Sequence, residues 1–231
     1  MSQGYPTFPQ LQMEIGRYVY QPYCWYLNWL QPQRFFTFRG QRFEYFVHPY
    51  NATWRNERSL EIPLARHMLE KYAPTDVLEV GNVLSHYLRA QHTILDKYER
   101  RKGVVTTDVV EYTPSKRYSL VLSISTLEHV GWDETPRQPG KHLEAVKRLR
   151  ELLSPGGVLM VTMPLGYNLD LDQDLEARKL GFSEYVFFKR VSYREWIEAG
   201  WAEVRGTPYG QPYRAGNALA IGIFVAPNST S

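Results

Sequence analysis

Four side chains have the types and spacing that chemistry at a sheet edge would need: Glu79, Asp96, His129 and Asp133. Glu79 lies inside the run Asp76-Val-Leu-Glu-Val-Gly81. A carboxylate there is costly to bury without donors, so its expected place is the strand's C-terminal mouth, where α/β sheets bind ligands. Asp96 ends Gln91-His-Thr-Ile-Leu-Asp96, at the separation by which one βαβ unit brings a second carboxylate to the same edge. There it can accept hydrogen bonds from both hydroxyls of a ribose. His129 and Asp133 follow another apolar run. Histidine is the side chain whose unperturbed pKa suits accepting a proton near neutral pH, and a nearby aspartate can orient its ring. The competing reading is that His129 only caps or packs the helix that follows.

Positioning these groups calls for buried strands. Val77, Leu78 and Val80 form a short apolar run broken off by Pro74, as in a parallel strand covered on both faces. A helix is expected from Pro63, with proline in its first turn, and a short helix fits 83–90. Further strands are expected at 91–96, 103–108 and 118–124, although 97–102 is too short for a full crossover helix. Leu143, Val146, Leu149, Leu152 and Leu153 stripe an amphipathic helix from Lys141 that stops at Ser154-Pro-Gly-Gly157. Val158–Pro164 and 217–226 then read as strands, 185–191 and 201–204 as further candidates, and 193–199 as a short helix.

Residues 1–50 carry 15 of the 33 aromatic residues, the opposite of a disordered composition. Arg34–Phe38 and Gln41–Phe46 around Arg39-Gly40 predict a β-hairpin. These rings cover one side of the core or a subunit interface, offer a stacking surface for a sugar or other planar acceptor, or form a partner or membrane surface. The polar, aromatic stretch 48–58, with Asn51, Trp54, Asn56, Glu57 and Arg58, is a lid over a ligand or a capping and docking segment.

At 231 residues with 43% hydrophobic content, the chain suits one globular domain with an appendage. A net charge of +3 is too mild for a nucleic-acid binder. The single cysteine excludes an intramolecular disulfide and a Cys-based metal cluster. No signal pattern or membrane-spanning run is apparent, so a soluble cytoplasmic protein is expected.

Three stretches together carry a family resemblance: Glu79-Val-Gly81 at the end of a first strand, Ser123-Ile-Ser-Thr-Leu-Glu-His-Val130 after a fourth, and Leu153-Ser-Pro-Gly-Gly157 before a fifth. Over 76–164 the sequence resembles the class I S-adenosylmethionine-dependent methyltransferases of the small-molecule type, with Val83 and Ser85 where the family tends to have glycine. The resemblance implies an α/β, Rossmann-like sheet, mostly parallel with an antiparallel last strand and helices on both faces. To this, 1–58 adds an aromatic extension or lid before a methyltransferase-like domain over 59–231. It implies S-adenosylmethionine as cofactor, contacted by Glu79, Gly81, Asn82, Asp96, Lys97, Asp108, Val109, Ser125 and Thr126, with Asp108 near the adenine amino group. Glu128, His129 and Asp133 fall where an acceptor would meet the methyl group, so His129 and Asp133 are the catalytic candidates. Trp54, Asn56, Trp132, Tyr167 and Asn168 are candidates for acceptor contacts or the lid, and no metal is expected.

Two functional classes follow. One is an enzyme methylating an oxygen or nitrogen of a small polar acceptor, such as a glycosyl compound. The other is a binding or regulatory module that kept the fold without the chemistry. A nicotinamide dehydrogenase is a weaker third, since Gly-x-Gly-x-x-Gly is missing after the first strand. The aromatic N-terminal region is also a candidate homodimer contact.

Overall fold

The computed structural model describes residues 20–29 and 34–228. Its centre is a sheet in the order β5-β4-β3-β6-β7-β10-β8-β9. The strands are β3 (Val77–Val80), β4 (Thr93–Asp96), β5 (Val104–Thr106), β6 (Tyr118–Ile124), β7 (Leu153–Pro164), β8 (Glu184–Arg190), β9 (Trp196–Ala199) and β10 (Ala218–Val225). Strands β5, β4, β3, β6 and β7 pair in parallel, whereas β10 is inserted antiparallel between β7 and β8, and β9 pairs antiparallel with β8. The expected mostly parallel sheet with an antiparallel last strand is therefore present.

Both faces are covered, which is why the strand sequences read as nearly continuous apolar runs. On one face α3 (Lys141–Glu151), α4 (Leu169–Glu176) and α5 (Trp201–Val204) pack Ala145, Val146, Leu149, Leu171, Leu175 and Val204 onto Val121, Leu159, Val161 and Ala220. On the other, α2 (Arg58–Leu69) and the hairpin of β1 (Phe35–Phe38) and β2 (Gln41–Glu44) cover Leu120, Leu122, Met160, Phe188 and Ile221. The hairpin turns on Arg39 and Gly40, both at positive φ (52° and 76°), as a two-residue turn matched to strand twist requires. Tyr45 ties this hairpin to β9: its hydroxyl accepts the Trp196 N–H at 2.8 Å. Residues 20–29 form a helix, α1. The N-terminal aromatics at 5, 8 and 18 lie outside the described residues.

Four local expectations are corrected. Helix α2 begins at Arg58, placing Pro63 inside it. The Ser59 carbonyl that proline leaves free accepts the Phe46 N–H at 2.9 Å, so the hydrogen-bonding loss is offset by tertiary contact. The short helix expected over 83–90 is a single 3₁₀ turn, Leu84–His86, whose first N–H groups, of Val83 and Leu84, are held by Glu79. Strand and helix are exchanged near the C-terminus: 196–199 is strand β9 and 201–204 is helix α5. Trp196 is buried under the hairpin, and the Gly200 N–H is capped by the Glu203 carboxylate at 2.8 Å. Ser154-Pro-Gly-Gly157 forms an irregularity within β7, not a turn before it, with Leu153 opposite Tyr118 and Val158 opposite Leu120. As the short spacing leads one to expect, β4 and β5 are joined through 97–103 with no crossover helix, so this edge of the sheet is abbreviated.

Candidate active site

At the carboxyl ends of β3, β4 and β6 lies a cleft of about 380 Å³ lined by Val80, Gly81, Asn82, Asp96, Val109 and Thr126, among others. A larger cavity of about 680 Å³ lies between the turn after β6 and the segment entering α2, with Asn56, Glu57, Arg58, Ser125 and Glu128 in its walls. His129 lines both.

The smaller cleft is built by the turn after β3. Glu79 is fully buried; its Oε1 accepts the N–H groups of Val83 (2.9 Å) and Leu84 (2.7 Å), and its Oε2 lies 2.7 Å from His92 Nε2. It therefore acts from behind the cleft wall, organising the loop, and His92 is a partner that sequence reading missed. Gly81 adopts φ 84°, and a Cβ there would stand 2.0 Å from Thr126 Oγ1, so only glycine lets the β3 and β6 ends meet.

Asp96 Oδ1 accepts the Tyr98 and Glu99 N–H groups, both at 2.8 Å, and Oδ2 accepts the Asn82 N–H at 3.2 Å. A carboxylate has about four acceptor positions, so roughly one remains on Oδ2 for a ligand hydroxyl rather than the two expected. Asn82 Oδ1, also on the cleft, is buried without a partner and supplies a second acceptor. Asp108 binds Lys141 Nζ at 2.7 Å and Lys97 Nζ at 3.0 Å, and both lysines also reach Glu134. These lysines, acting against the opposing effect of burial, hold the Asp108 carboxyl below its usual range. Val109 is a buried apolar wall.

The larger cavity rests on carboxylates. Glu61, on α2 and fully buried, pairs with Arg58 through Oε2 and accepts the hydroxyls of Ser125 and Thr162 through Oε1, each at 2.5 Å. Glu57 Oε2 accepts the Gly216 N–H at 2.9 Å. Burial, then the neighbouring Glu61 charge, raises the Glu57 carboxyl. Burial likewise pushes Glu128 well above the usual range; its Oε1 is 3.6 Å from His129 Nε2, and its Oε2 has no partner.

His129 is half exposed; its Nδ1 lies 2.5 Å from Asp133 Oδ2, and the Tyr167 hydroxyl donates to the same oxygen at 2.9 Å. Burial and Asp133 push the Tyr167 phenol up to about 12. Of the other candidate contact residues, Asn56 lines the larger cavity and holds the Asn51 carbonyl at 2.9 Å. Trp54 is buried away from it among Tyr20, Tyr23, Cys24 and Leu27. Trp132 lies beneath the Arg137 guanidinium, 3.3 Å from its ring centre, outside both cavities. Asn168 caps α4 through the Leu171 N–H (3.0 Å) and donates to the Glu128 carbonyl (2.9 Å), so it supports the site from below. Among the described residues no cluster of His, Cys, Asp or Glu could hold a metal ion.

The loop carrying Tyr167 is pinned by Asp172, whose Oδ2 accepts the Gly166 N–H at 2.8 Å while Oδ1 is buried without a partner. Burial raises Asp172 from 3.8 to about 6, against that hydrogen bond. The folded state then holds the proton more tightly, so this stability is full below the unfolded pKa and is lost as pH rises through about 6. We expect wild type to lose about 1–2 kcal/mol across that window and Asp172→Asn to flatten the loss, measured by urea denaturation at several pH values.

The deciding observation for the fold is the sheet order, with β10 antiparallel between β7 and β8 and the cleft at the carboxyl ends of β3, β4 and β6. The chain has the class I methyltransferase fold. No protein-family model and no curated protein sequence matches it. Among solved structures it is similar to the N-methyltransferase NodS from Bradyrhizobium japonicum bound to S-adenosyl-L-homocysteine, with 14% identity, TM-score 0.48, and 74% of this chain and 87% of that one covered. A SAM-dependent methyltransferase from Thermotoga maritima has 16% identity and TM-score 0.41, over 69% and 86%. The glycopeptide N-methyltransferase MtfA has 13% identity and TM-score 0.36, over 71% and 86%. With these TM-scores below 0.5, the methyltransferase fold is read from the strand order itself. Among the described residues, no helix is long and apolar enough to cross a membrane.

Proposed function

We propose that the chain transfers a methyl group from S-adenosylmethionine to an oxygen or nitrogen of a small polar acceptor. The observation that carries this reading is the pair of cavities meeting at His129, one suited to a nucleoside and the other to an acceptor. The smaller cleft fits the cofactor: it has apolar walls at Val80, Leu95, Val109 and Val130, a partnerless acceptor at Asn82 Oδ1, and an open position on Asp96 Oδ2. When bound, S-adenosylmethionine supplies an already reactive sulfonium methyl group, so the chain's own contribution is chiefly alignment. His129, oriented by Asp133 and Tyr167, is placed to take the acceptor's proton. Tyr20 and Tyr209 line the acceptor cavity and support a ring-bearing acceptor such as a glycosyl compound. The exposed Trp25 and Trp29 of α1 support a homodimer contact through the N-terminal region, tested by sedimentation velocity.

Titration calorimetry tests the cofactor. Asp96→Ala is expected to weaken S-adenosylmethionine binding by about 1.5–3 kcal/mol, as one charge-assisted hydrogen bond would, and Asn82→Ala by about 1 kcal/mol, with the fold intact by circular dichroism. The occupation of Asp108 by two lysines favours the second reading, an inactive binding module. No binding by wild type at millimolar cofactor would decide for that module.

A further inference from the structure

One wall of the larger cavity carries a group that the proposed reaction does not use. Glu128 is 1% exposed, and among the described residues its Oε2 faces no donor within hydrogen-bonding distance. A buried carboxylate without donors is costly, and here its neighbours raise the cost, since Glu57 and Glu61 are also buried. Among the described residues Arg58 pairs with Glu61, Arg190 offsets part of the Glu57 charge, and His129 Nε2 lies 3.6 Å from Glu128 Oε1, which still leaves Glu128 Oε2 without a donor. Of the cavity's other arginines, Arg214 is exposed, and Arg55 is half-buried, its guanidinium 5.6 Å from the Tyr20 ring centre and its Nε buried without a partner among the described residues. Three buried acids thus share this floor, with the Glu128 Oε2 acceptor left open, although among the described residues no group of His, Cys, Asp and Glu could hold a metal ion.

We propose that Glu128, with Glu57 beside it, forms a subsite for a protonated amine, so that the acceptor is an amine bound as its ammonium at the floor of this cavity, its nitrogen able to take a methyl group only after a proton passes from it to a neighbouring base such as the Glu128 carboxylate. An ammonium brings the donors that Glu128 Oε2 lacks and adds positive charge beside three buried acids. Tyr20 and Tyr209 leave room for an apolar or ring-bearing body above it. The assignment of this cavity to the acceptor rests on the methyl-transfer reading; the ammonium site itself does not.

The test uses the full chain without cofactor and two probes of matched shape, benzylammonium and benzyl alcohol, titrated while backbone N–H signals around Ser125 and Gly216 are followed by NMR. Benzylammonium is expected to bind at least about tenfold more tightly than the alcohol, about 1.4 kcal/mol. Glu128→Gln should remove that preference and leave the alcohol unchanged; this variant keeps the shape and removes a charge whose burial is unfavourable, so it should fold. Glu57→Gln should weaken benzylammonium in the same direction. Equal affinities for the two probes, no saturation by benzylammonium, or an unchanged preference in Glu128→Gln would overturn the proposal. A matching loss of S-adenosylmethionine affinity in Glu128→Gln would also overturn it, by giving the ammonium site to the cofactor's own amino-acid end. If wild type prefers benzylammonium but binds no S-adenosylmethionine, the ammonium site stands and methyl transfer falls.

Discussion

Replacing Glu61 by alanine is expected to destabilise the protein by about 3–5 kcal/mol, the largest stability effect anticipated for a single side chain here. Glu61 is fully buried, and its removal strands the Arg58 guanidinium and deprives the Ser125 and Thr162 hydroxyls of their acceptor. An uncompensated buried charge costs more than the pair gained, so the loss should exceed that of an ordinary surface ion pair several-fold. Glu61→Gln, which keeps an acceptor oxygen, should lie between alanine and wild type. Urea denaturation decides it through the shift in midpoint at unchanged slope. A change below about 1 kcal/mol for Glu61→Ala would mean that water or a rearranged partner replaces the carboxylate. Because Ser125 also lines the larger cavity, the same substitution should loosen the site it supports.

His129→Ala is expected to lower the maximal rate of methyl transfer by about a hundredfold or more while leaving cofactor affinity nearly unchanged. With Nδ1 directed at Asp133, the other ring nitrogen is left to accept a proton where the two cavities meet. Asp133→Asn should reduce the rate in the same direction, and Tyr167→Phe less, since it removes only one of the contacts holding Asp133. Single-turnover rates with a turned-over acceptor, set beside calorimetric cofactor affinities, separate the effects. Near-normal turnover in His129→Ala would leave alignment as the source of rate and reduce the histidine to a packing role against Tyr167.

The buried strands, the hairpin and the apolar stripe of α3 were legible in the sequence because each is written in a local pattern: short apolar runs, a two-residue turn, a helical period. So was the placing of Asp96, Asp108 and His129 at one sheet edge, since strand ends follow from strand positions. Tertiary structure alone decided the rest. The start of α2 depended on Phe46 reaching the carbonyl that Pro63 left free, and the turn after β3 is fastened to the strand by Glu79 holding the Val83 and Leu84 N–H groups. The exchange of β9 and α5 followed from Tyr45 hydrogen-bonding Trp196 across 151 residues. The acidic floor was the least visible feature, for Glu61 meets Ser125 64 residues away and Thr162 101 residues away. Periodicity reports which face of an element is buried, but whether a buried carboxylate finds its donors depends on the path of the whole chain, and no local pattern carries that.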